Sequence, residues 1–62
     1  MRAQRMKAAR MLNGMTQFDL AQRVGCTEAL MSKIETGRAR PDRELKERIA
    51  CVLKIETWEV GI

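Results

Sequence analysis

The 62-residue chain contains no histidine and no tyrosine, two cysteines, and one residue each of proline, phenylalanine and tryptophan. Without histidine it lacks the commonest general base, and the spacing of Cys26 and Cys51 is not that of metal ligands. We expect both thiols to be buried and reduced, as cysteines in protein cores usually are. No phosphate-binding loop is present either. The sequence therefore predicts no enzyme, no metal site and no cofactor.

Long apolar runs are also missing. No stretch of eighteen apolar residues is present, and the basic N-terminal segment does not lead into the apolar region of a signal peptide. We therefore expect a cytoplasmic protein with no membrane partner and no small-molecule ligand. A chain of this length forms one domain at most and buries only about 60% of its unfolded surface, so we take residues 1–62 as a single domain.

Positive charge is concentrated in the first two thirds of the chain. Residues 1–43 carry nine basic side chains against four acidic ones, a net charge of +5. Residues 44–62 carry three against four, a net charge of −1. We expect a polyanion, most simply nucleic acid, to contact the basic part.

Apolar spacing and capping residues predict an all-α fold, because no segment shows the strict alternation of a strand. Five helical segments are expected: residues 2–12, a second from the cap Thr16 to Gly25, a third from Thr27 to about Thr36, a fourth from the cap Asp42, and a short fifth near 56–60. The residues predicted to face inward are Leu20, Ala21, Val24, Met31, Ile34, Leu45, Ile49, Ala50 and Leu53, with Trp58 as a lid on the core.

The link between the second and third helices is short, consisting of Gly25, Cys26 and Thr27. It permits only a sharp corner, with Gly25 expected at positive φ. Two short helices joined by a tight turn form the arrangement that places one helix in the major groove of DNA.

A long sequence pattern extends from about Arg5 to Trp58. Its residues are Arg10, Met15, Thr16, Gln17, Leu20, Ala21, Val24, Gly25, Met31, Ser32, Lys33, Ile34, Glu35, Gly37, Pro41, Ile49, Ala50 and Leu53. With them the chain resembles the Cro/CI-type (XRE family) helix-turn-helix DNA-binding domains. The resemblance implies a compact five-helix, lambda-repressor-like fold whose second and third helices form the motif. It also implies a transcriptional regulator of bacterial or phage type that is associated with the nucleoid. Most members of the family are repressors that bind a pseudo-palindromic operator as dimers.

By position, the resemblance also implies the site residues. The base contacts would be Glu28, Ala29, Ser32 and Lys33, and the DNA backbone contacts Thr16, Gln17, Arg38, Arg40 and Arg43. Arg10 and Glu35 match a structural salt bridge. Independent chemistry agrees, since a helix N-terminus binds phosphate, and lysine can donate to guanine while glutamate can accept from cytosine.

Two further expectations concern protein contacts. A homodimer surface is expected at the C-terminal end, from Trp58, Val60 and Ile62, and a monomer that pairs only on DNA is equally compatible with the sequence. The alternative function is a protein-interaction module or an antitoxin subunit with the same fold, which Phe18, Leu30 and Glu28 favour. The other charged side chains are expected to form solvated helix faces: Arg2, Arg5, Lys7, Lys46, Arg48 and Lys54.

Overall fold

The computed structural model describes residues 4–60, which form an all-α domain. Its elements are α1 (Gln4–Leu12), α2 (Gln17–Val24), α3 (Glu28–Glu35), α4 (Arg43–Leu53) and a 3-10 turn at Thr57–Glu59. The expectation of five helices was wrong, because the fifth segment is this single turn. A segment so short cannot repay the cost of starting an α-helix. None of the helices in residues 4–60 has the length and apolar character needed to cross a membrane.

The helix starts are fixed by short polar side chains. The Thr16 hydroxyl accepts from the Asp19 N–H at 3.0 Å, and the Asp19 carboxylate accepts from the Thr16 N–H at 3.0 Å. This reciprocal capping box begins α2. Asp42 begins α4 by accepting from the Leu45 N–H at 2.8 Å. Both starts are confirmed, as is that of α3, which is capped by Thr27.

The turn between α2 and α3 is as tight as predicted. Gly25 adopts φ +81°, a left-handed conformation that a residue with a side chain rarely takes. The N–H groups of Gly25 and Cys26 both donate to the Ala21 carbonyl at 2.9 Å, which closes the end of α2. The chain then passes directly to Thr27, so the two helices meet at a corner.

The core lies where α2 packs against α3 and α4, with α1 across α3 and α4. Every residue predicted to face inward from the second, third and fourth helices is buried, except Leu45, which is half-buried at the edge. Two further side chains complete the core: Met6 from α1 and Val60 from beyond the 3-10 turn. The short C-terminal segment therefore contributes a valine to the core.

Two predictions about side-chain burial were wrong. Trp58 is 59% exposed and is no lid, because the one short turn directs Val60 into the core instead. The cysteines are free, but Cys51 is exposed and Cys26 is only half-buried. Cys51 lies two positions from each of the buried residues Ile49 and Leu53 on α4, and two steps along a helix turn a side chain by about 200°. Burial of Ile49 and Leu53 therefore leaves Cys51 at the surface.

The capping box predicts a pH dependence of stability. The Thr16 main-chain N–H, followed by the Thr16 hydroxyl, holds the pKa of Asp19 below its ordinary value of 3.8. A lowered folded-state pKa stabilises the fold above the unfolded-state value, and this contribution is lost as the pH falls through the folded-state value. Urea titrations of wild type and Asp19→Asn should show a constant gap in unfolding free energy above about pH 5 that shrinks below about pH 4. A gap that stays constant to about pH 2 would contradict the assignment.

Candidate nucleic-acid interface

A buried ion pair joins α1 to the end of α3. The Arg10 Nε donates to Glu35 Oε2 at 2.6 Å, and Arg10 Nη2 donates to Glu35 Oε1 at 3.3 Å. The two side chains are only 9% and 3% exposed. Such a two-point contact fixes the planes of both groups, so it sets the orientation of α1 against α3.

The same pair also holds the start of α2. Arg10 Nη1 donates to the Met15 carbonyl at 2.7 Å, and the Gln17 side-chain amide donates to Glu35 Oε1 at 3.0 Å. Gln17 is half-buried, and one amide hydrogen is committed to Glu35. The main-chain N–H groups of Gln17 and Phe18 have no carbonyl one turn earlier to bind. The first turn of α2 therefore offers donors to an anion.

The outward face of α3 is mixed in charge. Glu28, Ala29 and Lys33 are exposed and Ser32 is half-buried, whereas Met31 and Ile34 on the opposite face are fully buried. The four residues expected to contact bases thus lie on the side of α3 away from the core.

The loop after α3 carries two arginines at the surface. Arg38 and Arg40 are exposed and alternate with half-buried Ala39 and Pro41. The N–H groups of Arg38 and Ala39 donate to the Lys33 carbonyl at 2.8 and 3.2 Å, which folds the loop back onto the end of α3. The main chain of this loop is therefore anchored to the end of α3, and both arginine side chains extend from it at the surface.

Arg43, the first residue of α4, is almost fully exposed. Its side chain is 93% exposed, and its Nε lies 3.5 Å from Glu47 Oε2. An exposed pair of this kind holds the arginine weakly, so Arg43 is free to turn toward a stronger anion.

An open concavity of about 510 Å³ lies between the end of α1 and the starts of α2 and α3. Thr16, Gln17 and Glu28 line it together with Arg10, Met11, Gly14 and Met15. It therefore brings the turn of α2 that is expected to bind phosphate next to the first residue expected to face bases.

A family model described as a helix-turn-helix domain matches residues 2–57, which is most of the chain. The protein belongs to the helix-turn-helix domain family. Within it, the chain is of the Cro/CI-like (XRE) type that the sequence resembles. Helix-turn-helix domains of this type bind DNA and are typically not enzymes. No curated protein and no solved structure gives a significant match.

Two arginines of this helix-turn-helix domain make contacts that the sequence did not predict. Arg5 stacks on the Trp58 ring, 5.0 Å from its centroid, and its Nη1 lies 3.4 Å from Glu59 Oε1. Arg48 reaches the end of α2. Both were expected to be solvated charges. Contacts so far apart along the chain leave no local pattern, although a Glu44–Arg48 pair follows from helical spacing.

Loss of the buried arginine should severely destabilise the domain. Arg10→Met leaves the Glu35 carboxylate buried without its cation, which typically costs about 3–5 kcal/mol. Because paired apolar replacements avoid the unpaired charge, Arg10→Met/Glu35→Met should recover most of that loss. Urea titrations at neutral pH measure the free energy of unfolding of the single and the double variant.

Arg43→Met serves as the control, because it also removes an arginine that pairs with a glutamate, but at an exposed site. It should cost less than about 1 kcal/mol. Equal losses for Arg10→Met and Arg43→Met would show that the buried network does not hold the fold.

Proposed function

We propose that this domain is a sequence-specific regulator of transcription that inserts α3 into the major groove of double-stranded DNA. The observation that supports this function is one surface that combines the exposed side of α3 with the anchored loop bearing Arg38 and Arg40. The start of α2 adjoins that surface through the concavity shared by Gln17 and Glu28. We take residues 1–62 to act as one DNA-binding unit.

The proposed base contacts follow from the exposed chemistry of α3. Lys33 donates to O6 or N7 of guanine, and Glu28 accepts from N4 of cytosine. Ala29 packs against a thymine methyl group, while Ser32 can donate or accept. Together these groups present both donors and acceptors to the groove.

The proposed backbone contacts lie on either side of α3. Thr16 binds a phosphate at the start of α2 through its hydroxyl hydrogen, since its main-chain N–H is used by Asp19. Gln17 binds it chiefly through its main-chain N–H, since one hydrogen of its side-chain amide is used by Glu35. Arg38, Arg40 and Arg43 bind phosphates on the other side. Phosphate contacts of this kind fix the register of the protein on the duplex without reading sequence.

We further propose a homodimer that acts as a repressor on a pseudo-palindromic operator. The surface expected for it needs correction, because Val60 is buried in the core of its own chain and cannot form a dimer contact. Trp58 is exposed and keeps that role in the proposal, whereas Ile62 lies outside the described residues. Half-sites about one helical turn apart would match the two-fold symmetry.

The second candidate function is a protein-interaction module or antitoxin subunit. Exposed apolar side chains favour it: Phe18 is 50% exposed and Leu12 is 88% exposed. Leu30 gives it less support than expected, because this side chain is half-buried and packs against the core.

Salt dependence separates the two functions. If each subunit neutralises three or four phosphates, the logarithm of duplex affinity should fall with the logarithm of salt concentration, with a slope of roughly −3 per subunit and twice that for a dimer. Fluorescence anisotropy with a labelled duplex at several salt concentrations measures the slope. A slope near zero would favour the protein-interaction module.

Two alanine variants should have different effects on a site selected from random duplexes. Arg40→Ala should weaken binding to every duplex and reduce the salt slope by about 1, because a phosphate contact is lost. Lys33→Ala should relax the preference at one base pair, by about 1–3 kcal/mol of discrimination.

Lys54→Ala is the control, since it removes the same charge from an exposed position at the end of α4. Repeating the selection with each variant gives the preference at every position, and two symmetric half-sites would support the dimer. Lys33→Ala with an unchanged preference would remove α3 from base reading.

A further inference from the structure

Arg48 connects the middle of α4 to the end of α2. Its Nη1 donates to the main-chain carbonyl of Val24, the last residue of α2, at 3.4 Å. Its Nη2 lies 3.3 Å from the Glu44 carboxylate, one turn earlier on α4. The guanidinium is thus held between its own helix and the first helix of the motif.

The contact falls on the turn that joins α2 to α3. A Cβ placed on Gly25 would lie 3.7 Å from Arg48 Nη1, so the guanidinium borders that glycine. The last carbonyls of a helix lack intrahelical partners and carry partial negative charge. A cation that donates to the Val24 carbonyl therefore stabilises the end of α2 where the chain turns.

Small changes at this turn are amplified along α3. Lys33 lies six residues beyond Thr27, which is about 9 Å along a helix. A tilt of about 10° at the turn would displace it by roughly 1.5 Å over that length, enough to break a hydrogen bond to a base edge. Base reading thus needs a turn held in one conformation.

We propose that Arg48 is a positioning residue for DNA reading: it tethers the turn at Val24–Gly25 to α4 and so fixes the direction of α3. The inference rests on the proposed function, because it assigns α3 the reading role. Arg48 acts through the turn and touches no DNA.

Cys26 provides a probe of the turn in the free protein. In a Cys51→Ser background, Cys26 is the single thiol, and its reaction with a disulfide reagent such as 5,5′-dithiobis(2-nitrobenzoic acid) reports opening of the turn. Arg48→Met should raise this rate about threefold to tenfold, the equivalent of one ordinary hydrogen bond. Lys46→Met, which removes the same charge from the same helix, should leave it unchanged.

Amide exchange at buried Ile34 measures global opening in the same variants. Equal acceleration of Ile34 exchange and Cys26 reaction would mean that Arg48 stabilises the whole fold without a specific effect on the turn, and would overturn the proposal. An unchanged Cys26 rate would also overturn it.

DNA binding supplies the readout that a purely structural role would not change. Arg48→Met should weaken binding to the selected site about threefold to tenfold, with unchanged affinity for random duplex and an unchanged salt slope. Arg48→Lys should restore part of the lost affinity, because an ammonium group can also donate to the Val24 carbonyl. A salt slope reduced by about 1 would show a phosphate contact and contradict the assignment.

DNA binding tests the proposed function, and the Cys26 reaction rate tests the contact between Arg48 and the turn. Failure of the wild-type protein to bind any duplex would refute the proposed function and the DNA role of Arg48 with it. The Cys26 rates would still decide whether the tether to the turn exists.

Discussion

The Arg10–Glu35 ion pair is the interaction on which the arrangement of this domain depends. Replacing a buried pair with apolar residues often leaves a protein as stable as before, so net stability does not explain its place here. Its distinctive contribution is geometric. Arg10 holds the Met15 carbonyl and Glu35 holds the Gln17 amide, so the end of α3 and the start of α2 are fixed to one another. The proposed interface uses both segments, so it depends on their position relative to one another.

The helix ends could be predicted because each depends on residues next to it in the chain. Thr16 and Asp19 cap one another across three residues, and Gly25 supplies the positive φ that ends α2. The burial of Trp58 was mispredicted because it does not depend on neighbouring residues alone. Burial is decided by competition among apolar side chains for one small core, and Val60, two residues after Trp58, belongs to that core whereas Trp58 is 59% exposed. Local spacing carries no information about the outcome of that competition.

The candidate site shows the same division between local and long-range information. That Lys33 lies opposite buried Met31, two positions earlier on α3, follows from helix geometry. That the Gln17 amide is turned to Glu35, eighteen residues later, does not follow from any local pattern. The contact of Arg48 with Val24 spans twenty-four residues and is equally hidden. Apart from Arg10 and Glu35, which the family resemblance had paired, the sequence carried no indication of which side chains hold the scaffold in place.

In the proposed function, Glu28 mainly increases the selectivity of the domain for one DNA sequence over others. A carboxylate on the reading helix repels phosphates on any duplex, which opposes the attraction of Arg38, Arg40 and Arg43 for every sequence. Only a correctly placed cytosine amino group offsets the desolvation of that carboxylate. Specificity is a difference between two affinities, so weaker binding to wrong sites is as effective as stronger binding to the right one. One acidic residue among the cations therefore suits a small domain that must find one site among many similar ones.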